Sequence, residues 1–179
     1  MVRASLAGTG HDGRMSVRQQ AMRLPLLLDE VSHAHFPNPP ATSAQIEAFE
    51  QRMGWKLDAD LRAFYLHCDG ASLFDLVNSP FIFPALAKWV RARKFIFGED
   101  LDEGGPDTWF VVCEVLDGNC IILDVSQQEN GRSPIRDGYR EGFPDPKWCP
   151  RIAGSFSEFL AGALQSKGRW FWLGADEQT

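Results

Sequence analysis

Two apolar segments separated by a short polar reversal constrain the fold of this chain more than any other feature. Residues 109–115 and 120–125 are rich in Val, Ile, Phe and Trp, side chains that fit a pleated sheet. Asp117-Gly118 lies between them, and this dipeptide readily adopts the positive φ angles of a tight turn. The sequence therefore predicts an antiparallel β-hairpin over residues 109–125.

Helices are predicted on both sides of this hairpin. Thr42 with Gln45, and Ser155 with Glu158, have the spacing of capping boxes, and apolar side chains follow each pair at helical intervals. Asp58 is suited to cap a further helix that ends before residue 70. The remaining predictions are short helices at 24–31 and 85–93, strands at 94–97 and 135–139, and a polar loop at 126–133.

Length and composition favour a single domain over residues 23–179. The chain has 179 residues, of which 44% are hydrophobic, and a domain of this size buries about 70% of the surface that its unfolded chain exposes. Helices around a strand-rich centre favour an α+β fold, in which one face of an antiparallel sheet packs against helices. Residues 1–22 have glycines where a secretion signal needs an apolar block, and we expect a disordered or weakly ordered leader there.

Charge and cysteine usage narrow the range of partners. The net charge of -6 argues against direct nucleic-acid binding, because that requires a basic face. No apolar run in the sequence reaches the ~20 residues that a membrane-spanning helix needs. The four cysteines have no CxxC pair and no regular spacing, so we expect buried thiols in a cytoplasmic protein.

Few patterns in the sequence support catalysis or metal binding. His33-x-His35 has no third ligand at helpful spacing, and the carboxylates of residues 99–107 lack the alternating Asp pattern of a calcium loop. His67-Cys68-Asp69 are neighbours at a helix end and therefore point in different directions. We predict no metal, no cofactor and no catalytic residue, with an enzyme based on cysteine or carboxylate chemistry as the alternative.

Four segments resemble the SUKH superfamily, which is named partly for fungal cell-wall regulators and includes many bacterial immunity proteins. Residues 46–57 and 61–70 are similar to its first two helices, and the hairpin at 109–124 is similar to its central strands. Residues 152–160, Ile-Ala-Gly-Ser-Phe-Ser-Glu-Phe-Leu, are similar to its closing signature, the most specific of the four. Together the resemblance covers residues 42–165.

This resemblance implies a protein-binding module without catalysis. Bacterial members of the superfamily look like antidotes that occupy a toxin domain, often a nuclease or a deaminase. The first hypothesis is therefore an immunity protein that occludes the active site of a cognate toxin. The alternative is a regulatory or scaffold protein of SUKH type that has no toxin partner.

An acidic segment is the strongest candidate for contact with such a partner. From residue 98 to residue 124 the chain has eight carboxylates and no Lys or Arg. We predict that the loop at 99–107 meets a basic toxin domain through Glu99, Asp100, Asp102, Glu103 and Asp107. The alternative is a solvated loop that only maintains solubility.

Two aromatic sites complete the candidates. Trp148 lies between two prolines, and Trp is favoured as an anchor in protein interfaces. Residues 170–173, Trp-Phe-Trp-Leu, are too aromatic to face water. We expect this segment to pack back as an edge strand or over a helix, with a partner site as the alternative.

Overall fold

The chain folds into helices on both sides of one sheet. The structure is a computed structural model that describes residues 17–174, with side chains from residue 23 onward. Within this range the chain forms five α-helices and seven strands. In chain order these are α1 Val17–Ala34, β1 Phe36–Pro37, α2 Ser43–Met53, α3 Ala59–His67, β2 Ala71–Leu73, β3 Phe81–Phe83, α4 Ala92–Phe97, β4 Trp109–Glu114, β5 Cys120–Asp124, β6 Ile135–Gly138, β7 Arg151–Ala153 and α5 Phe156–Gln165.

The sheet is an antiparallel meander. Each strand pairs with the strand next to it in the sequence, so the spatial order runs from β1 to β7 without a crossover. The predicted α+β class, an antiparallel sheet packed against helices, is confirmed. None of the described helices combines the length and the apolar character needed to cross a membrane.

The predicted central hairpin is confirmed as β4 and β5. Trp109 pairs with Asp124 at one end, and Glu114 pairs with Cys120 at the other. Asp117 and Gly118 have φ angles of 63° and 70°, as the Asp-Gly pattern predicts for a tight reversal. Of the two, Asp117 bears the steric cost, because a left-handed backbone is uncommon for a residue with a side chain.

The main core lies between the inner face of the sheet and the layer formed by α1, α2, α3 and α5. Phe64 of α3 is at its centre and packs edge-on against Tyr65 and Phe156. The buried Tyr65 hydroxyl donates to the Pro84 carbonyl at 2.8 Å and accepts from Trp89 Nε1 at 2.7 Å. This core is therefore aromatic, and the polar atoms that Tyr65 and Trp89 carry into it are paired with each other and with the backbone.

The outer face of the sheet is also partly covered. The sequence had predicted that only one face of the sheet packs against helices. α4 and the segment 139–149 bury a second cluster that includes Trp109, Val111, Cys120 and Ile122. Because these residues alternate with inner-face residues, β4 and β5 are buried on both faces. Burial on both faces explains why both strands are apolar up to their last residues, Glu114 and Asp124.

The prediction of a strand at residues 94–97 is wrong. These residues end the helix α4, which buries Ala92, Arg93 and Ile96. Their aromatic and β-branched composition resembles a strand, but contact with the outer face of the sheet selects the helix. The predicted helix at 85–93 is also wrong over most of its length, because only a 3₁₀ turn at Leu86–Lys88 forms before α4 begins.

Thr42, Asp58 and Ser155 cap the helices that the sequence predicted them to begin, so these three predictions are confirmed. Thr42 and Gln45 form the full reciprocal box, and Asp58 accepts from the Leu61 amide at 3.0 Å. At α5 the box is only half formed, because the Glu158 carboxylate accepts from the Gly154 amide and not from that of Ser155. The three caps therefore satisfy backbone donors that would otherwise be orphaned.

The N-terminal helix is longer than predicted. α1 begins at Val17 and includes Pro25, whereas the sequence predicted a helix only over residues 24–31. α1 therefore takes in the last six residues of the expected leader, and the rest of that leader lies outside the described residues. The short strands β1, β2, β3 and β7 were not predicted, but β6 agrees with the strand expected at 135–139.

A buried polar network joins the starts of α3 and α5 to the loop before β6. Arg132 makes two ion-pair contacts of 3.1 Å with the Asp60 carboxylate, which also accepts from the Ser157 hydroxyl at 2.6 Å. Asp58 accepts from the Ser133 amide at 3.2 Å. Since Asp60 and Arg132 are both buried, each offsets the cost of burying the other's charge.

The aromatic segment at 170–173 covers α5, which is one of the two predicted arrangements. Phe171 packs against Gly162, where an added Cβ would lie 2.5 Å from the ring. Trp172 contacts Phe159 and donates from Nε1 to the Asp137 carboxylate of β6 at 2.9 Å. The segment thus ties the last helix to the sheet.

We predict that Asp60→Ala lowers the free energy of unfolding by about 3–5 kcal/mol, because it removes the carboxylate that pairs directly with the buried Arg132 guanidinium. Glu129→Ala, which removes the partner of Arg151 in an exposed ion pair, is the control and should cost less than about 1 kcal/mol. Urea unfolding measures both. Equal losses would contradict a stabilising role for the buried pair.

A second prediction concerns pH. Burial raises the pKa of Asp137 to about 6, although the hydrogen bond from Trp172 favours the ionised form. The folded chain therefore binds this proton more tightly than the unfolded chain, and the resulting stability is lost as the pH rises from about 4 to about 6. Asp137→Asn keeps an acceptor for Trp172 but cannot ionise.

Wild-type stability relative to Asp137→Asn should accordingly fall by about 1–2 kcal/mol across that interval. Urea unfolding of both proteins between pH 4 and pH 7 gives the difference directly. Parallel stability curves would contradict the prediction.

Candidate functional site

The predicted acidic loop is part of a separate layer on the outer face of the sheet. This layer, here called the outer lobe, consists of α4, residues 98–108 and residues 139–149. Phe143 holds the parts together, because its ring contacts both Phe97 of α4 and Trp109 of β4. Gly105 packs against Pro144 and Phe143, where a Cβ would lie 2.9 Å from the proline.

Two arginines at the start of α4 clamp the acidic loop. Arg93 is 4% exposed and donates to the Asp100 carboxylate, to Asp102 at 3.0 Å and to the Gly105 carbonyl at 3.0 Å. Arg91 donates to Asp100 at 2.7 Å and to the Asp107 carbonyl at 2.9 Å. The loop is thereby held at several points along its length.

The clamp gives the loop carboxylates two different roles. Although burial raises the pKa of Asp100, hydrogen bonds from Arg93 and Arg91 outweigh it and hold that pKa below its usual value. Asp100 and Asp102 are therefore engaged within the molecule. Glu99, Glu103 and Asp107 are exposed, and their carboxylates have no ion-pair partner within residues 23–174. Of the five predicted carboxylates, Asp100 and Asp102 therefore pair with arginines of the same lobe, whereas Glu99, Glu103 and Asp107 do not.

Trp148 lies on the same outer lobe, with 53% of its surface exposed. Its position depends on Gly142, because a Cβ at residue 142 would come within 2.1 Å of Trp148 Cβ. The Lys147 ammonium lies 5.4 Å from the centre of the Trp148 ring. Gly142 is next to Phe143, whose ring joins the parts of the outer lobe. Trp148, which packs on Gly142, therefore lies on the same lobe as the acidic loop.

Sequence reasoning missed two apolar side chains of this surface. Phe97 and Leu101 are each 54% exposed and flank the first of the loop carboxylates. Their exposure could have been predicted from the sequence, because both lie close to the acidic turn at Gly98 and Glu99. An apolar side chain beside such a turn is seldom able to reach the core. Half-exposed large apolar groups with acidic neighbours are suited to contact with a protein surface.

Burial disfavours the reactive thiolate form of the four cysteines. All four are free and buried, and burial raises the pKa of Cys68 to about 12 and that of Cys149 to about 11. Next to Cys68, His67 bonds to the Ser32 hydroxyl and Asp69 accepts from the Leu86 amide, so neither is directed at the thiol. A thiol that stays protonated at neutral pH is a poor nucleophile.

The histidine pair His33 and His35 is engaged elsewhere. His33 Nδ1 lies 2.8 Å from the Asp29 carbonyl, and His35 Nδ1 accepts from the Phe74 amide at 3.0 Å. Among the described residues, no group of three or more His, Cys, Asp or Glu side chains could hold a metal ion.

Comparison with known proteins identifies the family. Residues 40–162, more than half of the chain, match the model of the SMI1 / KNR4 family (SUKH-1). The chain belongs to this family, as the sequence resemblance predicted. Over 122 residues it is 29% identical to a protein named immunity protein YokJ from Bacillus subtilis (strain 168), a match that covers 68% of this chain and 73% of that relative.

We predict that Arg93→Ala loosens the acidic loop. Without the guanidinium, Asp102 and the Gly105 carbonyl lose their donor, so the Gly104 and Gly105 amides, which bond to Leu101 and Asp102, should open more often. We expect roughly tenfold faster hydrogen exchange at both amides. Lys94→Ala, on the exposed side of α4, is the matched control and should change neither. Unchanged exchange in Arg93→Ala would show that the loop does not depend on the clamp.

Proposed function

We propose that this chain is a non-catalytic immunity protein that binds a toxin domain and blocks it by covering its active site. The observation that carries the proposal is the outer lobe, which bears three exposed carboxylates without an arginine partner together with half-exposed Phe97, Leu101 and Trp148. Membership of the family and similarity to a relative named as an immunity protein support the same role.

Charge indicates the kind of toxin. Nucleases and deaminases that act on nucleic acids need a basic surface for the phosphate backbone. Glu99, Glu103 and Asp107 are opposite in charge to such a surface, and complementary charge speeds encounter and fixes orientation. The partner we propose is therefore a basic toxin domain, with the outer lobe lying over its substrate cleft.

The clamp of Arg91 and Arg93 supports this role energetically. A loop that is already ordered loses little conformational entropy when it binds, so more of its contact energy appears as affinity. Trp148 adds a large apolar contact whose position is set by Gly142. We place the complex in the cytoplasm, since the free buried thiols suit a reducing compartment.

The first test is purification of the tagged full chain from its native cells at low and moderate salt, followed by mass spectrometry. We expect one stoichiometric basic protein domain that is released as salt rises and is toxic when expressed without this chain. Recovery of host regulatory proteins instead would favour a regulatory or scaffold role.

A charge-matched pair of triple variants then tests the surface. Glu99→Gln, Glu103→Gln and Asp107→Asn together should slow association with the captured domain by roughly tenfold at low salt and flatten its salt dependence. Asp29→Asn, Glu30→Gln and Glu47→Gln remove the same charge from exposed sites on α1 and α2, across the sheet from the outer lobe. Equal effects of the two triples would leave only net charge as the cause and exclude the outer lobe as the interface.

A further inference from the structure

The outer lobe covers only part of the outer sheet face. One cross-strand row on this face runs through Phe36, Ser72, Ile82 and Glu114 before it reaches Cys120 beneath the lobe. Residues paired in this way project from the same side of a sheet. The part of the row before Cys120, here called the open floor, consists of Phe36, Ser72, Ile82 and Glu114.

The open floor includes two exposed apolar side chains, Ile82 and Phe36, where water would favour polar ones. Ile82 is 37% exposed although β3 has a neighbouring strand on both sides, so its exposure is not that of a sheet edge. Phe36, two strands away, is 42% exposed. The solvated face of an antiparallel sheet is ordinarily polar. Exposed apolar side chains beside charged residues are typical of a surface that contacts another protein.

Glu114 extends the negative charge of the outer lobe onto this floor. It pairs with Ile82 on one side and with Cys120 on the other, at the boundary between the open and covered parts of the face. Its carboxylate has no ion-pair partner within the described residues. A cationic side chain from a partner would meet both this carboxylate and the apolar surface of Ile82, which suits the mixed chemistry of Lys and Arg.

Size also favours a wider contact than the outer lobe supplies. A standard protein interface uses about 20–30 residues from each side. The acidic loop at 99–107 and Trp148 amount to far fewer, so a partner seated on them must contact adjacent surface. The open floor adjoins the lobe directly through Glu114 and Cys120.

We infer that the open floor is the second half of the toxin-binding surface, with the outer lobe as its wall. The occupant is a basic protein domain that places an apolar side chain over Ile82 and Phe36 and a Lys or Arg beside Glu114. This inference rests on the proposed function and adds to it the chemistry of the partner's contact surface: an apolar protrusion flanked by cations.

The test compares Ile82→Lys with Leu66→Lys. Leu66 is 43% exposed on α3, within the helical layer on the inner side of the sheet, so it matches Ile82 in exposure and differs in place. The tagged full-length wild type and both variants are used to capture the basic domain from native-cell lysate, and its dissociation constant is then measured with each. We expect at least roughly tenfold weaker binding for Ile82→Lys and no change for Leu66→Lys.

Two further variants separate binding from folding. Ile82→Thr keeps a β-branched side chain and should also weaken binding, while thermal unfolding should show that it remains folded. Glu114→Gln should reduce both the association rate and its salt dependence. Equal affinity of wild type, Ile82→Lys and Ile82→Thr for the captured domain would overturn the open floor while leaving the proposed function intact.

Two other results would overturn the inference in different ways. If the wild type captures no basic domain, the proposed function fails and the open floor fails with it. If sedimentation instead shows a wild-type dimer that Ile82→Lys abolishes, the floor belongs to a second copy of this chain.

Discussion

β4 and β5 are apolar on both faces, so the fold must cover both sides of the central hairpin. Their inner side chains, such as Phe110 and Leu123, complete the main core beneath the helices. Their outer side chains, such as Trp109 and Ile122, need a second cover, which α4 and residues 139–149 supply. Because that cover stops at Glu114, the same hairpin also defines where the open floor begins.

Charge pairing gives the outer lobe its shape. A loop with five carboxylates repels itself and would sample many conformations unless cations held it. Arg93 supplies that cation from a buried position, and its cost of burial is offset because its donors are engaged by the loop. The outcome is a charged surface of defined geometry, which is the property that separates selective recognition from general electrostatic attraction.

Local signals explain which elements could be predicted from the sequence. The caps at Thr42 and Asp58 and the turn at Asp117 each depend on residues within a few positions, and all were predicted. The helix α4 was mistaken for a strand because its aromatic residues match either state and only contact with the sheet decides between them. Strands of two or three residues, such as β1, have no period to detect and exist through their partners.

Adjacent or regularly spaced residues were enough to indicate the family, the α+β class, the central hairpin and the acidic character of residues 99–107. The pairing of Arg91 and Arg93 with Asp100 and Asp102, but not with Glu99, Glu103 or Asp107, is visible only once the chain has folded, because it depends on contacts between α4 and the loop. The tertiary structure also places Trp148 on the same lobe as these residues and turns Ile82 outward. These features depend on which segments fold onto the same face of the sheet, and that follows from the competition of all apolar segments for burial.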